Sequence, residues 1–193
     1  MARKLSIFEN ISLDGYFTDI LGDMGWAHEE HLDAEFAKFT AGNAAGGGAL
    51  LFGRVTYETM QGFWTTDQAQ EAMPEVAKMM NALPKYVFSR TLKTADWNNT
   101  TLLYGEPAAE VVRLKNQDGG DITVLGSGTI VSQLVEARLV DGCAFILCPM
   151  ILGGGRTLFS ELKERRALKL EKSRVFDNGK VFLSYTISER DAD

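Results

Sequence analysis

From residue 4 to residue 14 the chain alternates. Leu5, Ile7, Ile11 and Leu13 are apolar at odd positions, while Lys4, Ser6, Asn10, Ser12 and Asp14 are polar at even ones. A period of two is that of a β-strand. Phe8 and Glu9 break the pattern, which implies that both faces of the strand are covered. A loop rich in Gly and Asp (14–25) leads to Trp26 and to a helical pattern, HEEHLDAEFAKFT (28–40), in which Leu32, Phe36 and Phe39 share a face. Glycines 46–48 end that unit. Short apolar runs at 49–52 (ALLF), 85–89 (KYVFS), 100–105 (TTLLYG) and 122–126 (ITVLG) read as further strands. Helical patterns lie between them: one starts near Thr56, one covers 71–83 and one covers 129–137. Another is opened by Pro107, at a first-turn position where its missing amide hydrogen is not needed, and closed by Gly119-Gly120. CAFILCPMIL (143–152) is the longest apolar run, and a hairpin turns around Asn178-Gly179. Strands alternating with helices imply right-handed crossovers and an α/β fold. The expected architecture is a mostly parallel central sheet, helices on both faces and a C-terminal antiparallel hairpin.

The length of 193 residues suits a single domain, 1–193, and no internal repeat or linker divides it. With 45% hydrophobic and 24% charged residues, the chain has the composition of an ordinary globular protein. A net charge of −6 gives a field that repels polyanions, so no nucleic-acid partner is expected. Residues 1–17 lack the apolar core of a signal peptide, and no run of about 18 apolar residues occurs, so the expectation is a cytoplasmic protein without a membrane anchor. Cys143 and Cys148, five apart on one strand, would lie roughly 16 Å apart on opposite faces. A disulfide needs Cα atoms within about 7 Å, so both are expected as buried thiols.

Ligands of open α/β sheets bind at the carboxyl ends of the strands, which directs attention to four segments. They are Asn10 to Gly15, Gly53-Arg54-Val55-Thr56, Ser89-Arg90-Thr91 and Gly126-Ser127-Gly128-Thr129. In the last, a strand stops at glycine and restarts as a helix, so free amides and a positive helix end face an approaching anion. It is not a Rossmann fingerprint, because the third glycine and the acid about twenty residues on are missing. The plainer alternative is a tight strand-to-helix turn. Arg54 and Arg90, each at a strand end and accompanied by Thr56 and Ser89, suit a second phosphate, since guanidinium binds phosphate in a two-pronged geometry. Asn10, Ser12 and Asp14 share one strand face, either to hydrogen-bond a pyrimidine or pterin edge or to meet solvent. His28, His31 and Glu35 share a helix face, but HEEH is neither HExxH nor its inverse and no fourth ligand is apparent, so no metal is expected.

FGRVTYETM, YVFSRT and ITVLGSGTIVSQLV, in that order, resemble the dihydrofolate reductase superfamily, and more closely the branch containing the reductase domain of bacterial riboflavin biosynthesis. The likeness runs from LSIFENISLDG to the closing hairpin. It implies an NADPH-dependent reductase of a small heterocyclic substrate of pyrimidine or pterin type, with the cofactor lying across the carboxyl ends of the sheet. By the resemblance, Gly53, Arg54 and Thr56 meet the diphosphate and adenosine-side phosphates, and Ser89 and Arg90 the ribose 2′-phosphate. Gly126, Ser127 and Gly128, followed by Thr129, hold the diphosphate, and Leu125 lines the same groove. Two carboxylates compete for proton transfer. Glu35, with Phe39 one turn on and Trp26 upstream, resembles the folate reductase arrangement, whereas Asp14 in ISLDG resembles the riboflavin type. Tyr16 stands where the riboflavin reductases usually carry an arginine. Relatives of this branch are expected to be homodimers. The alternative is a non-catalytic NADP(H)-binding module with a sensor or regulatory role.

Overall fold

The structure, a computed structural model, describes residues 2–28, 33–44 and 48–188. Eight strands form one sheet: β1 (Leu5–Ser12), β2 (Ala49–Gly53), β3 (Lys85–Phe88), β4 (Thr100–Leu103), β5 (Ile122–Val124), β6 (Gly142–Cys148), β7 (Leu168–Val175) and β8 (Val181–Ile187). Their order is β4-β3-β2-β5-β1-β6-β8-β7. Strands β1 to β6 are parallel, and β8 and β7 close the sheet antiparallel. This is the α/β architecture that the alternation of patterns implies. Among the described residues no helix is long and apolar enough to cross a membrane.

Alternation along the strands sends neighbouring residues into different layers. Leu5 and Ile7 of β1 and Leu51 of β2 pack on α5 (Pro107–Lys115) and α6 (Gly128–Glu136) through Val111, Leu114, Val131 and Leu134. Leu50 and Phe52 point the other way, toward α2 (Arg54–Trp64) and α4 (Pro74–Ala82), where Tyr57, Trp64, Ala77 and Met80 bury them with Trp97. On that second face, α1 (Ala34–Ala44) places Phe36 against Ile146, Phe176 and Phe182. Cys143 belongs to the first layer and Cys148 to the layer of α1, and both are buried and outside any disulfide.

Three boundaries differ from the sequence pattern, each for a local reason. The helical pattern of 28–40 becomes a 3-10 turn (Gly25–His28) and α1, with residues 29–32 outside the described residues. Asp33 Oδ1 accepts the amide of Phe36 at 2.9 Å and so caps α1 at its start. The pattern at 71–83 splits into α3 (Asp67–Ala72) and α4, because Met73 precedes Pro74 and proline disfavours helical geometry in the residue before it. The apolar run 143–152 stops being strand at Cys148, directly before Pro149.

Candidate functional site

Strands β2 and β5 are neighbours, with Leu51 paired to Val124. Their continuation brings two strand-to-helix turns together: Gly53 N donates to Gly126 O at 3.2 Å, and Leu125 N to Leu51 O at 3.0 Å. From there α2 leaves toward one face of the sheet and α6 toward the other, which opens a crevice at the carboxyl ends. The chain enters α6 through a cis Gly126–Ser127 peptide. Neither helix has a side-chain cap, since the N-cap residues are Gly53 and an unengaged Ser127. Each therefore presents first-turn amides and a positive dipole end to the same crevice.

The glycines are there because the turns touch. A Cβ on Gly53 would stand 2.9 Å from Ser127 Oγ and 3.2 Å from Ile130 Cδ1. Gly126 has φ +78°, and a Cβ there would stand 3.1 Å from Thr56 Oγ1 and 3.4 Å from Glu9 Oε2. Beside the turns lies a cavity of about 1160 Å³, walled by Thr56, Met60 and Trp64 of α2, by Ser127, Gly128 and Thr129, by the loop from Phe17 to Gly25, and by Gly155 to Thr157 with Ser160 and Glu161.

Asp14 builds this wall. Its carboxylate accepts from Ser12 Oγ (2.7 Å), Leu152 N (3.1 Å) and Gly153 N (2.8 Å). The Ser12 hydroxyl, with support from those two amides, holds the Asp14 carboxyl below its usual range, so Asp14 is an ionised anchor near neutrality. The anchored loops then meet: Phe17 N donates to Arg156 O at 2.9 Å, and a Cβ on Gly155 would fall 1.8 Å from Thr18 O.

The residues singled out by sequence divide into two groups. Gly53, Thr56, Gly126, Ser127, Gly128 and Thr129 converge at the crevice, and half-buried Leu125 packs beside them on the side of α2. The remainder are engaged elsewhere. Glu35 is ion-paired with Arg174 of β7, and Trp26 is buried with Phe36 and Ile146; neither is on the cavity wall. Ser12 is fully buried, its Oγ donating to Asp14 and accepting Tyr16 N, so the row Asn10, Ser12, Asp14 is not an open hydrogen-bonding edge. Arg54 pairs with Glu58 at 2.7 Å. Ser89 Oγ accepts the amides of Thr91 and Leu92, and Arg90, with 84% of its side chain exposed, lies 3.5 Å from Glu106. His31 lies outside the described residues; among those described, no group of three or more His, Cys, Asp or Glu could hold a metal.

One wall of the cavity is built by a segment that the sequence pattern does not mark as a site. Gly153-Gly154-Gly155-Arg156-Thr157, in the loop after β6, is a glycine-rich segment outside the four strand ends, and the acids Asp23 and Glu161 also face the cavity. Glu9, at the break in the alternation of β1, likewise has no assigned role in the sequence pattern. Glu9 is only 5% exposed on the face of β1 turned toward α6, and burial raises its carboxyl from 4.5 to about 8.

Comparison with known proteins fixes the lineage. A family model described as the RibD C-terminal domain matches residues 3–182. The chain belongs to this family. Its RibD C-terminal fold is similar to that of a Shewanella sp. PV-4 protein named for riboflavin biosynthesis, with TM-score 0.72 and 22% identity over 98% of this chain and 100% of that one. It is also similar to dihydrofolate reductase from Enterococcus faecalis, solved with NADP(H), with TM-score 0.62 and 13% identity over 98% and 100% of the two chains. In sequence, the uncharacterized protein YyaP of Bacillus subtilis (strain 168) is 27% identical over 95% of this chain and 94% of its own. The family is that of the RibD C-terminal domain, and the fold is shared with the riboflavin biosynthesis protein and the dihydrofolate reductase.

Proposed function

We propose that this protein is an NADPH-dependent reductase of a small heterocyclic substrate of pyrimidine or pterin type. The observation that carries the reading is the meeting of two uncapped helix N-termini, α2 and α6, beside a cavity large enough for a nicotinamide and a substrate ring. The uncapped first-turn amides of α2 and α6 can donate to a diphosphate, and Thr56, Ser127 and Thr129 add hydroxyl donors. Ser89 and Arg90 end β3, two strands from β5, where an exposed guanidinium suits the 2′-phosphate that distinguishes NADPH from NADH. When bound, the nicotinamide supplies a hydride. The chain's part is to hold the acceptor between the loop of Phe17 and the side chains of Met60 and Trp64, shielded from water. Asp14 acts by fixing that loop, and the acids on the wall through which a proton can reach the acceptor are Asp23 and Glu161.

A fluorescence titration tests the reading, because Trp64 lies on the cavity wall and reports binding directly. NADPH is expected to bind at least tenfold more tightly than NADH, a difference of about 1.4 kcal/mol. Equal affinity for the two would remove the 2′-phosphate assignment, and no binding of either would remove the reductase. One observation favours a binding module without turnover: both acids nominated by the family resemblance, Asp14 and Glu35, are engaged in structural contacts. NADPH consumption with a panel of pyrimidines, pterins and quinones separates the two, since a module binds cofactor and oxidises none of it.

A further inference from the structure

Residue Glu9 has an unusual position for a carboxylic acid. On β1, Ile7 pairs with Val124 of β5; two residues further on, the strand has ended and the turn at Gly126 stands opposite Glu9. On its other side Glu9 pairs with Phe145 of β6. Glu9 Oε1 accepts the amide of Asn10 at 3.1 Å, and Oε2 has no hydrogen-bond partner among the described residues. The hydroxyl of Thr56 is likewise without a partner among them, and both oxygens converge on the face of Gly126 where a side chain would otherwise stand. Glu9 and Thr56 are at most 9% exposed as residues, and each turns an oxygen without a protein partner among the described residues toward the same glycine, where a ligand's polar group can meet both.

Among the described residues no cation accounts for the acid. Strand β5 has no titratable side chain, and β6 offers only Cys143, pushed up to about 11, and Cys148. On α2, Arg54 pairs with Glu58, and the Tyr57 hydroxyl accepts Trp97 N. Glu136 sits at the far end of α6, and on the cavity wall stand Asp23, Arg156 and Glu161. A carboxylate in that place would set a negative charge against the turn proposed to receive a diphosphate.

We propose that Glu9 is a proton-dependent positioning group for the anionic cofactor: neutral, it offers an O–H beside that of Thr56 at Gly126; ionised, it repels the ligand. The inference rests on the cofactor reading above. It predicts that affinity for NADPH is constant through the neutral range and falls as Glu9 loses its proton near pH 8. With one proton required for binding, the dissociation constant rises about tenfold per pH unit beyond that point.

The test is a titration of the whole protein with NADPH from pH 6 to pH 10, comparing wild type with Glu9→Gln, which keeps the shape and a donor but cannot ionise. A second measurement follows the infrared band of protonated carboxyl groups over the same range. The expected result is a steep loss of wild-type affinity above about pH 8, a flat profile for Glu9→Gln, and an infrared band that disappears near pH 8 in wild type and is missing from the variant. A wild-type profile that stays flat while NADPH binds overturns the role of Glu9 and leaves the cofactor reading standing, as does a Glu9→Gln profile as steep as that of wild type. Failure of wild type to bind NADPH at any pH overturns the cofactor reading and this inference with it.

Discussion

At the scale of single residues, the core holds two ionisable side chains whose titrations pull stability in opposite directions. Burial raises Glu9 from 4.5 to about 8, so the folded state binds a proton that the unfolded chain has already lost in that window. Stability therefore falls between pH 4.5 and 8, by on the order of 5 kcal/mol. Lys85 is fully buried, its Nζ donating to the carbonyls of Leu83 (2.7 Å), Asn98 (3.1 Å) and Asn81 (3.3 Å) over the ring of Trp97. Burial lowers it from 10.5 to about 8. The unfolded chain then holds the extra proton, and stability rises between pH 8 and 10.5 by on the order of 3 kcal/mol. The two contributions place a minimum near pH 8, and above pH 9 the buried Cys143 thiol, raised to about 11, offsets the further rise from Lys85. Urea unfolding at a series of pH values should show it; Glu9→Gln should flatten the acid-side slope, and Lys85→Met the alkaline-side rise, whatever either costs in absolute stability.

At the scale of elements, the crevice depends on glycines that let two helix ends touch. Gly53→Ala would drive a methyl group into Ser127 and Ile130, and the Cβ of Gly126→Ala would crowd Thr56 and Glu9 at a φ of +78°. The second change also costs about 1–2 kcal/mol of backbone energy. Both variants are expected to lose at least about tenfold in NADPH affinity, by fluorescence titration, while keeping the circular dichroism of the folded protein. These turns were legible in sequence, because strand, glycine and helix follow one another within a few residues. What pairs with what over long separations was not legible: the ion pair of Glu35 with Arg174 and the bonds of Asp14 to Leu152 and Gly153 join residues that no local pattern connects. Periodicity located β1 but could not say that the acid interrupting it would lie opposite Gly126, since that follows from the register of β1 against β5.

At the scale of the whole molecule, the sheet has an open edge. Strand β7 is exposed along its entire length, with Leu168, Leu170 and Val175 facing solvent. Such an edge invites pairing with another strand. We propose that it joins two subunits. Sedimentation should then give a dimer that Leu170→Lys shifts toward monomer, and a wild-type monomer at every concentration would rule the pairing out. The middle of the sheet has a different consequence. Strand β1 is made well before its neighbours β5 and β6, which lie more than a hundred residues downstream. On a ribosome moving at about 5–20 residues per second, β1 waits on the order of ten seconds for its partners. Its apolar residues Leu5, Ile7 and Ile11 stay uncovered for that time, which makes the nascent chain, long before any cofactor is met, a client for whatever shields apolar segments during synthesis.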